Sequence, residues 1–239
     1  MRVLVACEES QTVCKAFRAM GHEAYSCDLQ ECSGGHPEWH IQGDALRLIN
    51  GNCSFRDIGG GQHEIRGEWD LLIAHPPCTY LTNCATRSFS LRCTPPEKVV
   101  KRWELRCEAA IFFMHFVLAR CERICVENPL GFMSHWKKPD QIIDPFQFAE
   151  STEDKENYVT KRTCLWLKGL EPLKINDLPR PTLPRYQRAD GRWHSVTWEE
   201  TVNTDRARNR SKTFPGIAAA MAAQWGTKEA THEQQGNDL

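Results

Sequence analysis

The stretch Trp69-Asp70-Leu71-Leu72-Ile73-Ala74-His75-Pro76-Pro77-Cys78 decides the fold. Residues 69–74 are almost continuously apolar and too few for a helix, which predicts a strand covered on both faces. Two prolines then end it abruptly in a stiff loop that carries a thiol. Working outward, the same form recurs. Glu122 to Val126 is apolar and ends in Glu127-Asn128-Pro129, and Arg2 to Cys7 encloses Val3-Leu4-Val5-Ala6. Helical spacing lies between these runs, with Val13, Phe17 and Met20 over Gln11–Met20 and a stop at Gly21, and with Trp103, Ala110, Phe113 and Val117 on a long stretch from Pro95 to Arg120. Further short strands are expected at Glu23–Cys27, running into Asp28, at His40–Asp44, followed by a helical turn, and at Thr163–Leu167. An Ala-rich helix, Ile217–Trp225, closes the chain, and Gly51–Gly67, with glycines at 59, 60 and 61, reads as an irregular surface loop. Strands alternating with helices, each strand ending in polar residues, predict an α/β fold: a doubly wound, mostly parallel sheet with helices on both faces and its ligand site at the carboxyl edge. That edge gathers residues 7–10, 28, 44, 75–80 and 127–129.

Composition narrows the function classes. The chain has 239 residues, 41% hydrophobic and 26% charged, as in an ordinary globular protein. No apolar run approaches the roughly 18 residues needed to span a bilayer, and MRVLVACEES turns charged too soon for a signal peptide, so no membrane partner and a cytoplasmic location are expected. Thirty basic against thirty-one acidic residues leave a formal charge of −1, so any affinity for nucleic acid has to come from a local patch. Such a patch exists. Between Arg180 and Lys212 eight basic residues, Arg192 among them, face four acidic ones and are interleaved with Tyr186, Trp193 and Trp198, a pattern suited to phosphates and unpaired bases. The twelve cysteines contain no C-x-x-C pair, and Cys32, His36 and His40 form only a loose cluster, so free thiols and no metal site are expected.

Two loops carry chemistry. Cys78 follows a strand end on a rigid loop in the expected crevice, which suits a nucleophile. Glu127 ends another parallel strand, and the two together suit a thiolate and a proton-donating carboxyl facing one planar substrate. The reading of Cys78 as a buried thiol and of Asn128-Pro129 as a simple strand exit stands beside it.

Pro77-Cys78 and Glu127-Asn128-Pro129, in this order and with a long helix between them, resemble the catalytic signatures of the cytosine C5 DNA methyltransferases, in particular the short, phage-associated members. Val3-Leu4-Val5-Ala6-Cys7-Glu8 is similar to that family's first cofactor motif, Cys27-Asp28 to the second, Gly43-Asp44-Ala45 to the third and Asp70–Tyr80 to the fourth. Lys161–Leu170 resembles the eighth, and Arg210–Ile217 the closing helix that returns to the cofactor. The resemblance implies a Rossmann-like methyltransferase fold and S-adenosylmethionine as cofactor, bound by Ala6, Cys7, Glu8, Asp28, Asp44, Pro76 and Ser211. Asp28 would take the ribose hydroxyls and Asp44 the adenine amino group; turn chemistry and a helix N-cap are their ordinary alternatives. It implies DNA as substrate, contacted by Asn128, Pro129 and Arg192. It further implies that Cys78 adds to C6 of a flipped-out or single-stranded cytosine, that a protonated Glu127 donates to N3, and that Arg162 orients the base.

The chain then divides into a catalytic core (1–170), a reduced basic target-recognition region (171–212), a returning helix (213–226) and a polar tail (227–239). The first motif carries Glu8-Glu9-Ser10-Gln11 where the family has glycines. Two other readings stay open: an exocyclic-amine DNA methyltransferase, which needs no thiol, and a degenerate methyltransferase fold that binds DNA or a protein.

Overall fold

The side chains of the central strands alternate between two cores, which is the period of two expected of a doubly covered sheet. A computed structural model describes residues 1–182, 185–187, 191, 193–195 and 212–227. Strand β1 (Arg2–Ala6) sends Val3 and Val5 to one face and Leu4 and Ala6 to the other. Strand β6 (Leu71–Ala74) divides Leu71 and Ile73 from Leu72 and Ala74 in the same way, and all eight side chains are fully buried. On the first face, helices α1 (Thr12–Ala19) and α4 (Pro215–Trp225; α3 is the single turn Met133–Trp136 before it in the chain) bring Val13, Phe17, Ile217, Met221 and Trp225. On the second, helix α2 (Pro96–Val117) brings Phe113 and Phe116 against Ile124, Val126 and Trp166. Each such burial is worth about 1.5–3 kcal/mol.

The central sheet has seven strands in the order β3-β2-β1-β6-β7-β9-β8, where β2 is Glu23–Asp28, β3 His40–Gln42, β7 Ile124–Pro129, β8 Gln141–Ile143 and β9 Thr163–Lys168. The pairs β1–β2, β2–β3, β1–β6 and β6–β7 are parallel. Strand β9 is antiparallel to both β7 and β8, so the sheet is mostly parallel with one reversed strand wedged near its edge. Chain order runs outward in one direction through β1, β2 and β3 and in the other through β6 and β7, which opens a crevice beyond the carboxyl ends of β1 and β6.

Two expectations are corrected. Strand β8 sits in a segment where no strand is expected. Residues 51–67 hold a hairpin, β4 (Cys53–Arg56) with β5 (Gln62–Ile65), rather than an irregular loop. Asp57 closes its turn, its Oδ1 accepting from Gly61 N at 2.8 Å and its Oδ2 meeting His63 Nε2 at 2.6 Å. Ring contacts from Tyr25 to Phe55, His63 and Trp69 hold the hairpin to the sheet. In the basic region only two three-residue strands are described, β10 (Arg185–Gln187) and β11 (Trp193–Ser195), paired antiparallel. Ser211, Arg192 and the tail from residue 228 lie outside the described residues. Among the described residues no helix is long and apolar enough to cross a membrane.

Candidate active site at the carboxyl edge of the sheet

The register of β6 on β7 builds the site. Ala74 is level with Val126, so the next residues along each strand, His75 and Glu127, emerge side by side. His75 Nδ1 and Glu127 Oε2 are 2.9 Å apart, with side-chain exposures of only 9% and 14%. Thr213, just before α4, donates its hydroxyl to the same Oε2 at 3.2 Å. Burial works against the charge on Glu127, but the hydrogen bond and charge of His75, then Lys161 and Thr213, outweigh it and hold the carboxyl below its ordinary range. Burial likewise works against a charged His75. Glu127 and then Glu8 overcome it, and the imidazole is held above its ordinary value, with Lys161 opposing. The two side chains form a buried histidine–carboxyl pair in which each partner favours the charged form of the other.

The loop bearing Cys78 is fastened to the same strand end. Asn128, 3% exposed, donates its amide to the Pro76 carbonyl at 2.7 Å. Leu81 N and Thr82 N both donate to the Cys78 carbonyl at 2.9 Å, which curls the chain sharply after the thiol. Phe132 N then bonds Leu81 O at 2.7 Å, and Thr82 bridges Gly131. A Cβ at Gly131 would collide with the Leu81 carbonyl, so this approach requires glycine. Arg106 on α2 braces the loop from below: its Nε donates to Tyr80 O at 2.8 Å, and its guanidinium lies 3.4 Å from the centroid of Phe89 and 5.0 Å from those of Trp103 and Phe132. The Pro-Pro-Cys and Glu-Asn-Pro segments are therefore one rigid unit, with Cys78 half-buried at its rim.

The other half of the crevice is built differently. Ala6 is buried in β1, and its carbonyl accepts from His75 N at 2.9 Å. Cys7 turns out of the strand with φ 59°, and Gln11 adopts φ 58°. Between them Glu8 folds back onto the start of α1, where Oε1 accepts from Val13 N at 2.6 Å and Oε2 from Cys14 N at 3.1 Å. Both oxygens thus cap the helix, with the favourable end of its dipole facing them, instead of pointing to a ligand as the sequence implied. Burial nevertheless raises the Glu8 carboxyl, with His75 and the two amides opposing. Gln11, fully buried, grips the backbone of His36 from both ends of its amide, at 2.8 and 3.0 Å, and so draws the 29–36 loop over the turn.

Asp28 and Asp44 end β2 and β3. Each makes a local turn bond, Asp28 Oδ1 with Gln30 N at 2.9 Å and Asp44 Oδ1 with Leu46 N at 3.0 Å, and Asp44 is the N-cap of the short 3-10 turn Ala45–Arg47. Burial and then the charges of Asp28, Cys27 and Asp44 push the Cys7 thiol far above its usual range, which marks how these carboxylates converge on the end of β1. Two partly exposed carboxylates at this point suit the hydroxyls and amino group of a nucleoside.

Sequence reasoning gave no role to three residues of the site. His75 is the partner of Glu127, Thr213 shares its oxygen, and Lys161 is the cation that acts on both. The last corrects the expectation for Arg162, whose side chain is exposed and acts on Asp144 and Cys164. Lys161 instead lies inward, its Nζ donating to Lys212 O at 3.3 Å over the ring of Phe214. Pro129, at the end of β7, pairs with Thr163 of β9. Among the described residues no group of His, Cys, Asp and Glu is arranged to hold a metal. No protein-family model matches the chain, and no curated protein matches it significantly.

Proposed function

We propose that the chain is an S-adenosylmethionine-dependent methyltransferase that acts on C5 of cytosine in DNA. The observation that carries the reading is the parallel register of β6 and β7, which sets Pro76-Pro77-Cys78 beside Glu127-Asn128-Pro129 and ties them through the 2.7 Å bond from Asn128 to Pro76. A thiol and a carboxylate fixed on adjacent strand ends suit the two faces of the problem that cytosine poses. Its C5 is a poor nucleophile until sulfur adds to C6, and the negative charge that this addition sends to N3 must be met by a proton. The cofactor, when bound, supplies the methyl group. Asp28 and Asp44 would hold its nucleoside half, and Asn128 fixes the loop that would present the sulfur. Because C6 is closed off inside a stacked duplex, the target base must be flipped out or single-stranded.

Cys78→Ala should reduce transfer of tritiated methyl from S-adenosylmethionine to cytosine-containing DNA by at least about 1,000-fold. Transfer at the parental rate by that variant would overturn the mechanism. A second reading, a DNA- or protein-binding module without catalysis, is favoured by the way Glu8 and Gln11 turn inward on the protein itself. Calorimetry separates the two, since the enzyme gives heat with S-adenosylmethionine and the module gives none.

A further inference from the structure

We propose that His75 stores the proton that cytosine N3 receives, and that Glu127 passes it on. The inference rests on the methyltransferase reading and assigns a residue on which that reading is silent. Three titratable groups emerge in a row at adjacent strand ends, Glu8 after β1, His75 after β6 and Glu127 in β7, and the imidazole sits between the two carboxyl groups. From other elements, Lys161 before β9 and Thr213 before α4 also face the pair. The ring is fixed through Nδ1, which meets Glu127 Oε2 at 2.9 Å and the Thr213 hydroxyl at 3.4 Å. Its Nε2 is buried and has no hydrogen-bond partner among the described residues. A histidine kept only as a structural strut would be expected to satisfy both nitrogens, and here the whole polar investment is on the side of Glu127.

The transfer balances. In the resting pair His75 carries a positive charge and Glu127 a negative one. As the Cys78 thiolate forms its bond to C6, the π-electron pair moves toward N3, the Nδ1 proton moves to Glu127, and the carboxyl gives a proton to N3. The base adduct is then neutral, His75 is neutral and Glu127 is again a carboxylate. The charge brought by sulfur has cancelled the charge of the imidazolium, and the one charge left on the pair is the Glu127 carboxylate, which Thr213 and Lys161 still face. After methyl transfer, water takes the C5 proton, the electron pair of that bond re-forms the C5–C6 double bond as the sulfur leaves as a thiolate, and N3 returns its proton through Glu127 to His75. His75 acts through Glu127 and is a positioning residue for the proton.

The test joins two measurements on the full chain. Nitrogen-15 NMR of the imidazoles, with His75 assigned by its loss in His75→Gln, should find His75 charged above the ordinary imidazole value of about 6.5 in the parent. The same ring in Glu127→Gln should titrate at or below that value. A His75 that is already neutral at pH 6.5 in the parent overturns the proposal. The second measurement is the pH dependence of covalent trapping by an oligonucleotide containing 5-fluorocytosine, whose C5 fluorine blocks elimination. In the parent, trapping should fall only above about pH 6.5; in His75→Gln the fall should begin below pH 6, where an unassisted carboxyl loses its proton, leaving trapping at pH 7.5 about 100-fold slower. Cys78 is unchanged in both proteins, so the difference between the profiles reads the loss of His75. A parent that traps while His75→Gln shows the same profile overturns the relay alone. A parent that forms no adduct at any pH overturns the methyltransferase reading and the relay with it.

Discussion

The two halves of the crevice use their polar side chains in opposite ways. At the ends of β6 and β7, hydrogen bonds run between segments: His75 to Glu127, Asn128 to Pro76, and Phe132 to Leu81. They fix one loop against another and bury a histidine–carboxyl pair between them. At the ends of β1, β2 and β3 the bonds are mostly local, with Glu8 on the first turn of α1, Asp28 on Gln30 and Asp44 on Leu46. On the proposed reading, the first half would be organised for chemistry before any ligand arrives. The second holds its own backbone in shape and leaves two acidic groups at the edge. A protein so divided should lose chemistry when the first half is altered and affinity when the second is.

The largest break in that contrast is expected from Glu127→Ala. It leaves His75 buried without its carboxylate partner, a change that costs about 3–5 kcal/mol when a buried pair loses one member, and it should abolish methyl transfer. Chemical denaturation and the tritium assay read both effects. Next comes Gly131→Ala. The new methyl group meets the Leu81 backbone, which cannot yield without moving the Cys78 loop, so a loss of about 1–3 kcal/mol should accompany a fall in transfer rate with little change in affinity for S-adenosylmethionine. Asp28→Ala should do the reverse, weakening cofactor affinity roughly tenfold, about 1.4 kcal/mol, in calorimetry while the folded state stays within about 0.5 kcal/mol of the parent.

The pair also predicts a pH signature. Glu127, held below its ordinary range, adds stability that is lost as pH falls through its folded value. His75, held above its ordinary value, adds stability that is complete below about pH 6.5 and is lost as pH rises through its raised value. The stability of the parent relative to His75→Gln should therefore decline from pH 6.5 upward, as read from denaturant midpoints. A flat difference over that interval would remove the imidazolium from the account. The smallest effect on methyl transfer is expected from Glu8→Gln. Its amide oxygen can still accept from Val13 N or Cys14 N, so the cost should be about 0.5–2 kcal/mol, with methyl transfer reduced less than in any variant of the β6 and β7 ends.

Much of this arrangement was legible in the residues. The apolar runs at 2–6 and 71–74 give the doubly covered strands, and the polar ends of the runs at 23–27, 40–44, 69–74 and 122–126 give the positions of Asp28, Asp44, Cys78 and Glu127. The reversed direction of β9 was not legible, because Thr163–Leu167 is apolar throughout and a strand buried on both faces carries no mark of its direction. The hairpin was obscured by glycines that also punctuate loops, although Cys53-Ser54-Phe55-Arg56 and Gln62-His63-Glu64-Ile65 each alternate in burial. The partnership of His75 with Glu127 spans 52 residues. It follows from strand adjacency and a register of Ala74 on Val126, neither of which local spacing encodes. Lys161 and Arg162 are neighbouring cations, and only the path of the chain into β9 decides which turns inward.

Covalent trapping tests the central claim most directly. The parent protein incubated with S-adenosylmethionine and an oligonucleotide bearing 5-fluorocytosine should give a stable adduct whose mass equals protein, oligonucleotide and one methyl group, and peptide mapping should place the bond on Cys78. An adduct on another residue, or none under conditions where the protein binds both the cofactor and the oligonucleotide, would contradict the assignment of this thiol and carboxylate to cytosine C5 methylation.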